Sequence, residues 1–188
     1  MTVLIVGVLI WVLAHLLPSV AQPLKGAAVS RLGENGYKGA FSLLVFSALV
    51  LIVIGWRSTP EVYLYVLPPW ARDLSFALML LAFVLIGAAP YPTMIKRHLR
   101  HPMLTGVAVW GISHLLVNGT TRALILFGGL GLWALIEMPL INRREDPYEK
   151  PAAPSVSREL RGVFISGIIF AVVLYLHPYF TGVSPFPR

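Results

Sequence analysis

MTVLIVGVLIWVLAHLLPSV, Met1–Val20, runs for 20 residues without an Asp, Glu, Lys or Arg. Coiled at about 1.5 Å per residue, such a run spans the roughly 30 Å hydrocarbon core of a bilayer. Its one ionisable side chain is His15. Inside it, GVLIWVLAHLL (Gly7–Leu17) has a near-copy further on, GVAVWGISHLL (Gly106–Leu116). Both place Gly, Trp and His at four-residue steps, so Gly7, Trp11 and His15 share one helix face, and Gly106, Trp110 and His114 share another. An ionisable side chain inside a membrane helix is costly and marks a functional site by default. Two of them in matched settings suggest a paired site.

The rest of the chain agrees with a membrane environment. Of 188 residues, 57% are hydrophobic and 12% charged; in soluble domains about a quarter are charged. There is no cysteine, which excludes disulfides, thiolate chemistry and iron–sulfur clusters. The net charge of +7 does not point to nucleic acid, because the basic residues sit in short loops between apolar runs and set topology instead. Ser19-Val20-Ala21 resembles a signal-peptide cleavage site, but no Lys or Arg precedes the apolar run, so the first segment reads as a retained membrane helix.

The expected fold is all-α and integral to the membrane. Six transmembrane helices are expected at 1–20, 39–56, 72–89, 102–118, 121–141 and 161–178, in one domain over 1–180 with a short tail at 181–188. Asn118-Gly119-Thr120 is a turn signal, Pro90 and Pro92 end the third helix, and Pro102 opens the fourth. Loops 21–38, 90–101 and 142–161 hold eleven of the 15 Lys and Arg, leaving Arg57, Arg72, Arg122 and Arg188 for the other side. The richer side is then cytoplasmic, as expected of a multi-pass protein of a bacterial inner membrane, with both termini outside. Loop 142–161, with its mixed charges and three prolines, reads as a mobile connection.

With this topology the two Gly-Trp-His helices run in opposite directions. Helices two and five share a weaker apolar pattern, and the whole is compatible with a 3+3 inverted repeat. Each histidine lies roughly 20 Å into the core from its own side, placing the two Cα atoms about 10 Å apart in depth. Direct hydrogen bonding between them is not expected, whereas two imidazoles gripping one central metal remains open. Gly7, Gly106 and Gly111 fit either close helix packing or a cleft for a flat ligand. Trp11 and Trp110 fit either core positions or the walls of such a cleft.

Other polar groups fall at helix ends. Arg100 and His101, at the start of helix four, suit either a solvated interface or the anchoring of a carboxylate on a bound cofactor. Glu137 either pairs with an internal base or surfaces at the inner interface. His177-Pro178 reads as structural, and Asn118 as the start of a turn. No nucleotide-binding loop, HExxH or Ser-His-Asp grouping is evident, and no catalytic residue is assigned.

RHPMLTGVAVWGISHLLVN, Arg100–Asn118, together with WVLAHLLPS around His15, resembles the NnrU family of bacterial membrane proteins over roughly residues 1–180. That family is related to 15-cis-zeta-carotene isomerase. The resemblance implies an association with denitrification, through nitrite or nitric oxide reductase systems. Through the isomerase relatives it also implies haem b ligated by His15 and His114, and His101 matches the RHP motif with no ligand role implied; on a haem reading, Arg100 is the residue expected to hold a propionate. Where the isomerases carry a cysteine proposed as an alternate ligand this chain has Gly111, which excludes a thiolate–imidazole switch. RHPMLTG also resembles the RHPxYxG motif of isoprenylcysteine methyltransferases, but Leu104 replaces the tyrosine and only Glu137 stands for the acidic pair.

The expectations are therefore an NnrU-like haem protein of nitrogen-oxide metabolism, a haem-dependent isomerase of a lipid-soluble polyene, or a proton-coupled transporter. All three have the lipid bilayer as their medium, and none has a nucleic-acid partner.

Overall fold

The computed structural model describes residues 1–186; Pro187 and Arg188, including the basic residue expected on the outer side, lie outside the described residues. The chain folds into helices α1 (Thr2–Val20), α2 (Gln22–Ser58), α3 (Trp70–Gly87), α4 (Met94–His98), α5 (Pro102–Val117), α6 (Thr121–Arg144) and α7 (Val156–Thr181). The all-helical membrane class is borne out: α1, α2, α3, α6 and α7 are long and apolar enough to cross a bilayer. The fourth expected span, α5, is equally apolar but only 16 residues long, about 24 Å of helix.

One expected loop is largely helical. Residues 21–38 carry too much charge for a span, but Leu24, Lys25, Ala27, Ala28, Arg31 and Leu32 are good helix formers, and α2 begins at Gln22. Polarity excluded this stretch from the membrane interior, not from the helix. The direction changes at Gly33, whose φ of 70° and ψ of 166° a side chain would resist. The connection after α6 is also more fixed than its composition suggests. Tyr148 donates its hydroxyl to Lys96 O at 2.6 Å, and Arg97 donates to Pro151 O at 2.8 Å.

The chain divides into two compact units. The first contains α1, α2 and α6, from Met1–Val66 with Asn118–Asp146; the second contains α3, α4, α5 and α7. In the first, α1 packs antiparallel to α2 and parallel to α6. A Cβ on Gly7 would lie 2.8 Å from the Ile52 backbone nitrogen and 3.1 Å from Ala48 O, so glycine here permits close contact of α1 with α2. The loops at one end are clipped together: Gly119 O accepts from Leu64 N at 2.7 Å, and Val62 O accepts from Thr121 N at 3.0 Å. Arg122 lies 4.3 Å over the Trp56 ring, donates to Thr59 O at 3.1 Å and pairs with Glu61.

In the second unit α3 is central, antiparallel to both α5 and α7. Gly106 repeats the role of Gly7, since a Cβ there would stand 2.7 Å from Ile86 Cγ1 and 3.0 Å from Ala82 O. The glycines that open the two motifs therefore serve helix packing, each against a different partner.

Candidate functional site

In the first unit, the four-residue steps of α1 line up Trp11, His15 and Ser19 along one face. α6 places Trp133 and Glu137 opposite with the same step. The register of α6 is set in part by a single π-turn, Leu124–Gly128, which inserts an extra residue per turn just before Trp133.

His15 is held among three aromatic rings. Trp11 stacks on it at 4.5 Å between centroids, Trp133 leans in at 5.0 Å, and Phe41 of α2 meets it edge-on at 5.4 Å. Its Nδ1 lies 2.8 Å from Trp11 O. A carbonyl can only accept, so Nδ1 carries a proton, and in the neutral ring Nε2 then holds the lone pair. The imidazole is half-buried.

One turn further along, Glu137 is only 4% exposed. Ser19 donates its hydroxyl to Glu137 Oε1 at 2.6 Å, and Arg144 donates to Ser19 Oγ at 2.9 Å. Of the two readings open for Glu137, the structure takes the internal one: a serine links it to an arginine. Glu137 Oε2 and the indole nitrogens of Trp11 and Trp133 are buried with no hydrogen-bond partner among the described residues. Buried polar atoms are nearly always paired, and exceptions concentrate where a ligand or a function needs them. Three of these exceptions fall within two facing helix turns; Thr121 Oγ1 and Arg122 Nε, at the end of the unit clipped by its loops, are the others in it.

In the second unit, α5 carries Trp110 and His114, whose rings are 4.9 Å apart. His114 Nδ1 lies 3.0 Å from Trp110 O, so the tautomer matches that of His15. Ser113, fully buried, pairs with Ser75 of α3. Ser75 Oγ donates to Ser113 O at 2.9 Å, and Ser113 Oγ donates to Ser75 O at 2.8 Å. This reciprocal pair locks the rotation of α5 and so the direction in which His114 projects. The ring of His177 lies 6.4 Å from that of His114, nearly parallel to it, with His177 Nδ1 at 2.9 Å from Val183 O. His177 was expected to be purely structural, and it does cap the end of α7. It also brings a second imidazole towards His114.

Arg100 sits over the Tyr148 ring at 5.5 Å, at the start of α5. His101 O accepts from both the backbone nitrogen and the hydroxyl of Thr105, closing the first turn of α5. Gly111 is buried in the same helix. Sequence reasoning missed Phe41, Trp133, Ser19, Arg144 and the Ser75–Ser113 pair. Apart from Ser113, which shares α5 with His114, each pairs with a residue of another helix, and the four-residue step of Trp133 and Glu137 is the available signal.

The donor chemistry suits haem iron. Among the described residues no three His, Asp or Glu converge to hold a bare metal ion. A porphyrin supplies four ligands itself and asks the protein for one or two. A neutral imidazole whose Nδ1–H is fixed by a carbonyl is the usual form of such a ligand. Each unit presents one in a membrane helix, half-buried and beside a tryptophan.

Comparison with known proteins agrees with the motifs. A family model described as NnrU protein matches residues 3–185. No curated protein and no solved structure matches the chain. That match takes in nearly all of both units, including both Gly-Trp-His helices, and the chain therefore belongs to the NnrU family.

Proposed function

We propose that this chain is a multi-pass membrane protein that binds haem b through histidine and serves nitrogen-oxide metabolism. The observation that carries the reading is the repeated imidazole geometry. His15 and His114 each have Nδ1 bound to the carbonyl four residues earlier, which places the lone pair of each on Nε2. In each unit that nitrogen is the atom that would hold haem iron. The ferrous cofactor would supply an iron that binds diatomic gases such as nitric oxide.

The residues around each imidazole have separable tasks. Trp11 and Trp110 restrain the ring planes, and the Trp carbonyls fix the tautomer. The Ser75–Ser113 pair aims His114. Arg100 offers a guanidinium to a propionate carboxylate. The lipid bilayer is the medium, with the Lys- and Arg-rich loops on the cytoplasmic side of a bacterial inner membrane. A nitrite or nitric oxide reductase system is the proposed functional partner.

The test is an absorption spectrum of the full chain, produced with sufficient haem and purified in mild detergent. A Soret band is expected, and His15→Ala and His114→Ala should each diminish or abolish it while far-ultraviolet circular dichroism stays helical. A colourless wild-type protein with native helicity would overturn the reading. So would a Soret band that survives the double substitution.

A further inference from the structure

A second site lies away from the histidines, within the second unit. Where α3 ends and α7 begins, a groove of about 530 Å³ is lined by Gly87, Pro90, Tyr91, Arg158, Arg161, Gly162, Ile165, Ser166 and Ile169. The α7 residues recur at three- and four-residue intervals, so Arg158, Arg161, Ile165 and Ile169 lie along one helix face. The eleven steps from Arg158 to Ile169 rise about 16 Å. The groove thus has two guanidinium groups at its mouth and branched apolar side chains further along.

Three features bear on what the groove takes. First, Arg158 and Arg161 are exposed, and neither side chain has an ion pair or hydrogen bond among the described residues. Glu159, between them in sequence, is turned aside and accepts from Met94 N at 2.8 Å. Second, the groove wall is shaped by close approach: Gly162 has no side chain where the Tyr91 hydroxyl lies, and a Cβ there would collide with it. Third, the surface continuing from the groove is apolar and open. Val163, Phe164, Ile165, Ile168 and Ile169 are 47–68% exposed on a helix long enough to span a bilayer.

We infer that this groove binds one anionic phospholipid, with its phosphate between Arg158 and Arg161 and an acyl chain along Ile165 and Ile169. Guanidinium groups recognise phosphate by paired, charge-assisted hydrogen bonds. Basic pockets between membrane helices favour acidic headgroups, whereas a zwitterionic headgroup brings its own cation and gains less. The apolar length commits the site to a lipid, since a free anion would use only the mouth.

The experiment is native mass spectrometry of the full-length protein in detergent, titrated with phosphatidylglycerol or with phosphatidylcholine of the same acyl chains. One phosphatidylglycerol should be retained at least about tenfold more strongly than phosphatidylcholine. Arg158→Gln with Arg161→Gln should remove that preference. Arg143→Gln with Lys150→Gln, basic residues outside the groove, should keep it. Equal retention of the two lipids by the wild-type protein overturns the proposal without reliance on any variant. Equal loss in both pairs of variants overturns it as well. Displacement of the lipid by glycerol phosphate at the lipid's own concentration would show that the headgroup alone is bound, and would overturn the lipid assignment.

Discussion

The two Gly-Trp-His helices share six of eleven residues over their motif and are set in different surroundings. His15 lies on α1, the central helix of its unit, boxed by Trp11, Phe41 and Trp133, with the Glu137–Ser19–Arg144 chain one turn away. His114 lies on α5, a flanking helix, beside a buried serine pair and a second imidazole. What repeats is local to the helix: the glycine that admits a neighbour, the indole stacked or tilted towards the imidazole, and the Nδ1 bond to the preceding turn. What differs is supplied by other helices. A sequence motif thus sets the tautomer of a histidine, and its neighbours set its polarity and freedom.

The sharpest way to break that comparison is to remove the third ring on each side. Trp133 is 7% exposed and touches both Trp11 and His15. Its loss should cost about 4 kcal/mol, as for other large buried aromatics. His177 is half-buried at the end of α7 and stands 6.4 Å from His114. His177→Ala should cost under about 1 kcal/mol, mainly through the lost bond to Val183 O. Thermal unfolding in detergent gives both values. Similar losses for the two variants would mean that the rings are equivalent after all.

These differences explain how much could be read beforehand. The spans were legible because bilayer thickness dictates length and composition, and α1 falls where expected to within one or two residues. The Nδ1 bonds were not read from the sequence, because their acceptors are backbone carbonyls that any residue four positions earlier supplies. Helical residues 22–38 were hidden by charge, because hydropathy separates membrane from water but not helix from loop. Trp133 was hidden for another reason. The π-turn at Leu124–Gly128 alters which face of α6 follows, and no residue in LILFG announces it. The choice between packing and cleft at Gly7 and Gly106 needed the neighbouring backbone itself.

Glu137 offers the next effect in size, because the second unit has no equivalent described here. Ser19 donates to Glu137 Oε1 and accepts from Arg144, so the carboxyl ends a relay that ties α1 to the end of α6. Glu137→Ala would leave the part-buried Ser19 hydroxyl without its acceptor and open a gap where the buried carboxyl lay, and should cost about 2 kcal/mol. Glu137→Gln keeps an oxygen for Ser19 and should recover most of that loss. The same unfolding measurement decides it. If glutamine is no better than alanine, the Ser19 bond contributes nothing, and the burial of Glu137 has another cause.

A smaller effect than that of Glu137 belongs to the serine pair, and it bears most directly on His114. Ser113→Ala removes the hydroxyl that donates to Ser75 O, but Ser75 Oγ can still donate to Ser113 O, which is backbone. One bond is lost and one survives, so the expected cost is about 1 kcal/mol, in line with hydrogen bonds between membrane helices. Ser75→Ala is the mirror case. The double variant loses both bonds but also the last hydroxyl that would need a partner, so its cost should fall short of the sum. A double-mutant cycle in detergent measures that shortfall. Strict additivity would show that the hydroxyls act separately and do not clamp α5 against α3. A positive coupling, with normal helicity in the double variant, would show that the pair fixes α5 against α3 and with it the direction in which His114 projects.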